Sequence, residues 1–366
     1  MSNHAFVKAF QPIDLLPANI ISISEQGRLD RNSRVLWGVI AAMAVVTIIG
    51  YWATGLSFAW VSILAIGFCA LPCVAVSIFY RRVRPDPFIS FTTEVFAQLL
   101  LAMTLGAALS YPLAVTGFPY RDALLNSVDV WMGLDWRAYL KFINDRPLLA
   151  VITDLAYNSM LAQLLLLMIL FVPTRRFVRL QQFVLANALG LCVALAIFIF
   201  VPAGGTYSFL QIAPHEYANL PPVMTIEQLA SLDALRSGKR VLIDDLTGLI
   251  TFPSFHSAWA IFYMWVFYPI KWLRVGAILL NLLVLYSTPV QGSHYFIDLV
   301  GGAILAAFSI YVAIRLTRPA SQACPAVSRA PDDVVQVSCG WGFAATAGPP
   351  PSRPARLRER LVSMLT

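Results

Sequence analysis

Charge is what this sequence most lacks: Asp, Glu, Lys and Arg make up 12% of its 366 residues, about half the share usual in a soluble domain. That leaves too little polar surface to cover a water-soluble globule, and it excludes an ordinary soluble enzyme. Histidine is scarcer still, with only His4, His215, His256 and His294. The five cysteines, Cys69, Cys73, Cys192, Cys324 and Cys339, fall in apolar runs or in a Pro-rich tail, which excludes a disulfide framework and the spacing of a zinc site. No internal repeat and no nucleic-acid module is present. About thirty mixed, polar residues precede the first apolar run, so no cleavable signal peptide is expected.

What the sequence does have is apolar length. Hydrophobic residues make up 58% of the chain, and the mean hydropathy is +0.71. A helix needs about 20 apolar residues to cross the hydrocarbon core. On that measure an all-α polytopic membrane protein is expected, with eight spans at about 35–55, 57–80, 93–116, 148–172, 178–202, 253–270, 273–290 and 295–316.

The arginines test that count. Arg28, Arg31 and Arg34 precede the first span, Arg81, Arg82 and Arg84 follow the second, and Arg175, Arg176 and Arg179 separate the fourth from the fifth. Lys271 and Arg274 lie between the sixth and seventh, and Arg315 and Arg318 follow the eighth. Eight spans put all these clusters on one side, which the positive-inside rule makes cytoplasmic. The net charge of +7 is thereby explained without a nucleic-acid partner. Both termini are then expected inside a bacterial inner membrane. The expected organisation is a cytoplasmic segment 1–34, two additional spans in 35–92, a six-helix membrane domain 93–316 and a disordered cytoplasmic tail 317–366.

The opposite face receives the loops 117–147 and 203–252 and the short turn around Ser293. The first loop interleaves Leu124, Leu125, Val128, Trp131 and Trp136 with Asp122, Asp129 and Asp135. That pattern predicts an amphipathic helix in the interface, either a lid or a plain anchor. His215, beside Glu216, reads as a solvated loop residue.

Two of the four histidines sit at span boundaries on this face. His256 opens the sixth span, and His294 follows the seventh with Asp298 four residues on. On a helix starting at His294, Asp298 lies one turn along the same face. Two imidazoles and a carboxylate are the groups that phosphoryl transfer through a phosphohistidine needs. One imidazole attacks, a carboxylate on its second nitrogen fixes the tautomer, and the other imidazole protonates the leaving alkoxide. Asp154, Tyr157 and Asn158 fall at i, i+3 and i+4 in the outer half of the fourth span. They are either a substrate-binding group or an interhelical hydrogen-bond cluster. Gly204, Gly205, Gly301 and Gly302 read as positions of close backbone approach.

The stretches FPSFHSA and STPVQGSHYFIDLVGG resemble the second and third signature motifs of the type 2 phosphatidic acid phosphatase superfamily, P-S-G-H and S-R-x5-H-x3-D. Pro253, Ser254 and His256 match the former, with Phe255 in the glycine slot; Ser287, His294 and Asp298 match the latter, with Thr288 where arginine is usual. Tyr295 after the histidine, together with RDALLNSVDVWMGLDW, is similar to the inositol phosphorylceramide synthase branch.

The resemblance covers about residues 95–316. It implies a six-helix catalytic bundle with His294 as nucleophile, Asp298 as its orienting partner and His256 as general acid and base. It implies no metal, no cofactor and a membrane lipid as substrate: a phospholipid, a lipid phosphate or a ceramide-like acceptor. The superfamily's first motif, K-x6-R-P, has no full counterpart, because Arg146-Pro147 has its ending but Tyr139 stands in the lysine slot. Arg146, Lys239 and Arg240 are the external cations left to cradle a phosphate, with Ser254 and Tyr295 beside the histidines. The nearer alternative is an undecaprenyl-diphosphate or phosphatidate phosphatase; a non-catalytic lipid-binding or transport bundle is the alternative from another class.

Overall fold

Apolar runs bounded by Pro, Asp and Ser set where the helices begin. Asp86 caps the helix Pro87–Ala114, accepting the N–H groups of Phe88 and Ile89 at 3.0 and 3.1 Å, and Pro87 supplies the first helical residue. Ser254 caps Phe255–Phe267 through the N–H of Ser257 at 3.3 Å. Asp135 caps Trp136–Asn144 through that of Ala138 at 3.0 Å.

A computed structural model describes residues 23–58, 60–220, 225–239, 242–243 and 248–318. In chain order the helices are α1 Ile23–Thr54, α2 Trp60–Arg82, α3 Pro87–Ala114, α4 Asp122–Trp131, α5 Trp136–Asn144, α6 Pro147–Asn158 and α7 Met160–Phe171. They continue as α8 Phe177–Phe200, α9 Thr206–Phe209, α10 Thr225–Arg236, α11 Phe255–Phe267, α12 Lys271–Gln291 and α13 Phe296–Leu316. A two-residue parallel ladder joins Ser57–Phe58 to Leu242–Ile243. The fold is an all-helical membrane fold. Arg240 and the tail after Arg318 lie outside the described residues.

Each expected span is occupied by helix. Five of the described helices are long and apolar enough to cross a membrane, and α6 with α7, bent by 46° at Ser159, makes a sixth as one broken span. Of the other two, α2 has 23 residues and α11 only 13. At 1.5 Å per residue α11 is about 20 Å long, shorter than the hydrocarbon core.

At the centre stands α8, which packs against α1, α3, α11 and α13. Phe183, Val184, Ala186 and Ala194 on it join Phe262, Tyr263 and Ala306 in the main core. One end of the bundle carries the arginines. There Arg28 Nε donates to the Thr317 carbonyl at 3.0 Å, and Arg179 donates to the Trp265 carbonyl at 2.5 Å. These bonds tie the start of α1 and α8 to the ends of α13 and α11. The other end carries His256 and His294.

Candidate functional site

The site is built where α11 and α13 begin side by side. Gly302 allows the approach: a Cβ there would sit 2.2 Å from the Ser254 carbonyl and 2.9 Å from Ser257 Cβ. Ser254 N–H donates to the Asp298 carbonyl at 3.1 Å, and Ser257 Oγ to the Leu299 carbonyl at 2.9 Å. Ser254 is fully buried, its hydroxyl engaged as the cap of α11.

His294 does not belong to a helix. It lies in the short connection between α12 and α13, after Ser293 at a positive φ of 54°. Asp298, in the first turn of α13, reaches back, and its Oδ2 is 3.1 Å from His294 Nδ1 and accepts the Tyr295 N–H at 3.0 Å. The pair is 4% and 1% exposed. Burial lowers the His294 imidazole from its ordinary 6.5 to about 4, and a backbone hydrogen bond with Thr251 works the other way; the ring is neutral at pH 7. The same-face contact predicted from spacing is thus present, with the carboxylate folding back over a helix start rather than standing one turn further along a helix.

His256 is the second residue of α11 and is exposed. Tyr157 from α6 stacks on it, with ring centroids 4.5 Å apart and planes inclined by 20°. Gly292 borders both Tyr157 and His294: a Cβ on it would lie 2.7 Å from His294 Cδ2 and 2.9 Å from the Tyr157 hydroxyl. Asp154 and Asn158 lie on the same helix and bond to one another, Asn158 Nδ2 to Asp154 Oδ1 at 2.8 Å.

The external cations are elsewhere engaged or remote. Arg146 is exposed, lies over the Phe142 ring at 3.8 Å and donates to the Phe142 carbonyl at 2.7 Å. Lys239 is exposed after α10. Thr288, in the slot of the expected arginine, is fully buried and spends its hydroxyl on the Val284 carbonyl at 2.7 Å.

The loop 117–147 differs most from its sequence reading. It forms two helices, α4 and α5, and two of its acids, Asp122 and Asp129, are buried, while Asp135 and Asp145 stay exposed. Asp122 accepts the N–H groups of Gly204 and Gly205 at 3.0 Å and the Tyr295 hydroxyl at 2.8 Å. Asp129, 1% exposed, accepts the N–H groups of Phe296 and Ile297 at 2.8 and 2.9 Å, so it caps α13 from another element. Burial raises its carboxyl above the ordinary value, and those two N–H donors oppose the rise. Trp136 donates its indole N–H to the His294 carbonyl at 3.1 Å, whereas Trp131 stands 85% exposed as an interfacial tryptophan would. Gly205, at φ +92°, packs within 2.6 Å of Ser293 Oγ on the measure of an added Cβ.

Beside His256 an apolar cavity of about 390 Å³ opens between α3, α7, α8 and α11, with Met103, Ala107, Leu161, Leu191, Phe255 and Trp259 in its walls. Its volume falls within the range of small-molecule sites.

A family model described as the PAP2 superfamily matches residues 123–312, just over half the chain. No curated protein and no solved structure matches.

Proposed function

Since the chain belongs to the PAP2 superfamily, we propose that it is an integral-membrane lipid phosphotransferase or phosphatase working through a phosphohistidine on His294. The single observation that supports this reading best is the His294 Nδ1–Asp298 Oδ2 contact of 3.1 Å next to the Tyr157-stacked His256. With Nδ1–H given to Asp298, the lone pair lies on Nε2. That atom attacks phosphorus, the bond from phosphorus to the lipid oxygen breaks, and His256 gives its proton to the departing alkoxide. In the second half an alcohol or water oxygen attacks the phosphohistidine, loses its proton to His256 and releases His294.

A transferring phosphoryl group needs donors around its oxygens. The first turn of α11 supplies them: Ser254 takes the N–H of Ser257, and the N–H groups of Phe255 and His256 have no hydrogen-bond partner among the described residues, at the positive end of a helix dipole. These replace part of what the absent lysine and arginine would give. The cavity at His256 takes hydrocarbon of the lipid. The positive-inside rule puts the arginine-rich end in the cytoplasm and so the histidines on the extracytoplasmic side.

An alcohol acceptor is the finer reading, carried by the likeness of the His294-Tyr295 motif to the inositol phosphorylceramide synthase branch. The test uses purified protein in detergent, wild type beside His294→Ala, given phosphatidate and a fluorescent phospholipid with and without ceramide. Wild type is expected to release phosphate or make a new phospholipid, and to carry an acid-labile, base-stable phosphate label, with all three lost in His294→Ala. Equal activity of the two proteins, or a label that survives the substitution, would sink the mechanism.

A further inference from the structure

A second cavity lies outside the family-matched residues, between α1, α2 and α3, with a volume of about 230 Å³. Its polar wall is organised by Glu94, which is 4% exposed. That carboxylate accepts the Ser33 hydroxyl at 2.6 Å, the Trp37 indole N–H at 2.9 Å and the Arg81 guanidinium at 2.6 Å. An unpaired buried carboxylate would cost several kcal/mol; here three donors satisfy it and hold Arg81 at the cavity, 3.7 Å from Asp30 as well. Arg34 and Arg82 line the same space, are exposed, and have no ion pair or side-chain hydrogen bond among the described residues. They are the uncompensated charges of the cluster. The remaining wall is the Trp37 ring, Val74, Ile78 and Ser77, whose hydroxyl is spent on the Ser90 carbonyl at 3.0 Å.

A cavity that is cationic on one side and apolar on the other suits an amphiphile. We infer that it binds the head group of an anionic phospholipid, the phosphate between Arg34 and Arg82 and the start of the hydrocarbon against Val74 and Ile78. Guanidinium groups suit phosphate oxygens geometrically, and juxtamembrane arginines are drawn to an anionic leaflet. A free anion would use the arginines and leave Trp37, Val74 and Ile78 without a role. The site is at the arginine-rich end, near Arg28 on α1, and so belongs to the opposite leaflet from His294. The bound lipid joins the two helices preceding the catalytic bundle to α3. None of this depends on the phosphohistidine reading.

Native mass spectrometry of the full chain in detergent tests it, titrating phosphatidylglycerol, phosphatidylcholine or inorganic phosphate. Wild type is expected to retain one phosphatidylglycerol and to bind it at least tenfold more tightly than the double variant Arg34→Gln/Arg82→Gln. Lys271→Gln, a basic residue at the same end, should bind as wild type does, and phosphatidylcholine should be held weakly by all three. Val74→Trp fills the apolar wall without touching charge and should weaken phosphatidylglycerol as well. Equal retention by wild type and the double variant overturns the inference. So does an equal loss in Lys271→Gln, which would mean diffuse surface attraction, or displacement of the lipid by equimolar inorganic phosphate, which would reassign the cavity to a free ion.

Discussion

Asp129 and Phe296 are 167 residues apart in sequence, and the carboxylate of one accepts the backbone N–H of the other at 2.8 Å. A loop helix thereby caps the span that carries Asp298, and the same carboxylate takes the Ile297 N–H at 2.9 Å. Removing an N-cap side chain costs about 0.5–2 kcal/mol, and this one is buried and charge-assisted. Asp129→Ala is therefore expected to lower the thermal midpoint by several degrees and to cut turnover further than stability alone accounts for, because the first turn of α13 orients Asp298. Asp129→Asn keeps one acceptor oxygen and should fall between. Unchanged turnover in a folded Asp129→Ala protein would show that the cap has no hold on the histidine.

Gly292 is a second point of leverage. An added methyl would press on His294 Cδ2 at 2.7 Å, on the Tyr157 hydroxyl at 2.9 Å and on the Thr288 carbonyl at 3.0 Å. A ring carbon of the proposed nucleophile and the hydroxyl of the residue stacked on His256 must both give way. Gly292→Ala should cut kcat about 10²-fold, the order expected when a reacting group is displaced by roughly 1 Å, with a modest loss of stability. Gly276→Ala, a helix-interior site with open space around its Cβ, is the matched control, and equal effects on the two would remove the geometric claim.

Much of this was legible because it rests on local pattern. Apolar runs located a helix at each expected span, five of them long and apolar enough to cross a membrane and a sixth as a bent pair, and Asp298 four residues after His294 announced their contact. The roles of Asp122 and Asp129 were not legible. In sequence they are the polar positions of an amphipathic helix, and only the fold reveals that their partners are backbone N–H groups of residues 204–205 and 296–297. Backbone acceptors and donors carry no residue-type signature, so no motif marks them. Tyr157 shows in the sequence only as a polar position deep in a span; it stacks on His256 two residues before the break at Ser159 between α6 and α7, a break that a run of apolar residues conceals.

The buried, neutral His294 gives stability a pH dependence. Its imidazole is lowered to about 4 in the fold by burial, against about 6.5 in an unfolded chain. Between those values the unfolded chain binds more protons, so stability rises with pH across the window. The contribution is fully present above pH 6.5 and is lost as the pH falls toward 4, on the order of 3 kcal/mol in all. Thermal midpoints of wild type and His294→Asn, measured from pH 4.5 to 7.5, should fall more steeply toward the acidic end in wild type, the variant showing the shallower slope. Parallel curves would mean that this imidazole does not titrate in the window and is not held neutral by burial.

Ala107 faces the cavity that opens at His256 and is only partly buried, so a larger side chain there fills the space proposed for hydrocarbon rather than overpacking a core. Burying a methylene contributes about 0.8 kcal/mol; losing room for two or three of them weakens a long-chain lipid roughly tenfold or more. Ala107→Phe is accordingly expected to raise KM for a long-chain lipid phosphate by about that factor and to leave kcat/KM for a small water-soluble phosphomonoester unchanged, since in the proposed mechanism that substrate needs only the histidines and the donors at the start of α11. Leu161→Trp, at a mouth position 66% exposed, should act in the same direction with less risk to folding. Equal losses on both substrates would mark damage to the catalytic groups instead, and no loss on either would mean that the lipid chain stays in the bilayer and the cavity has no part in selecting it.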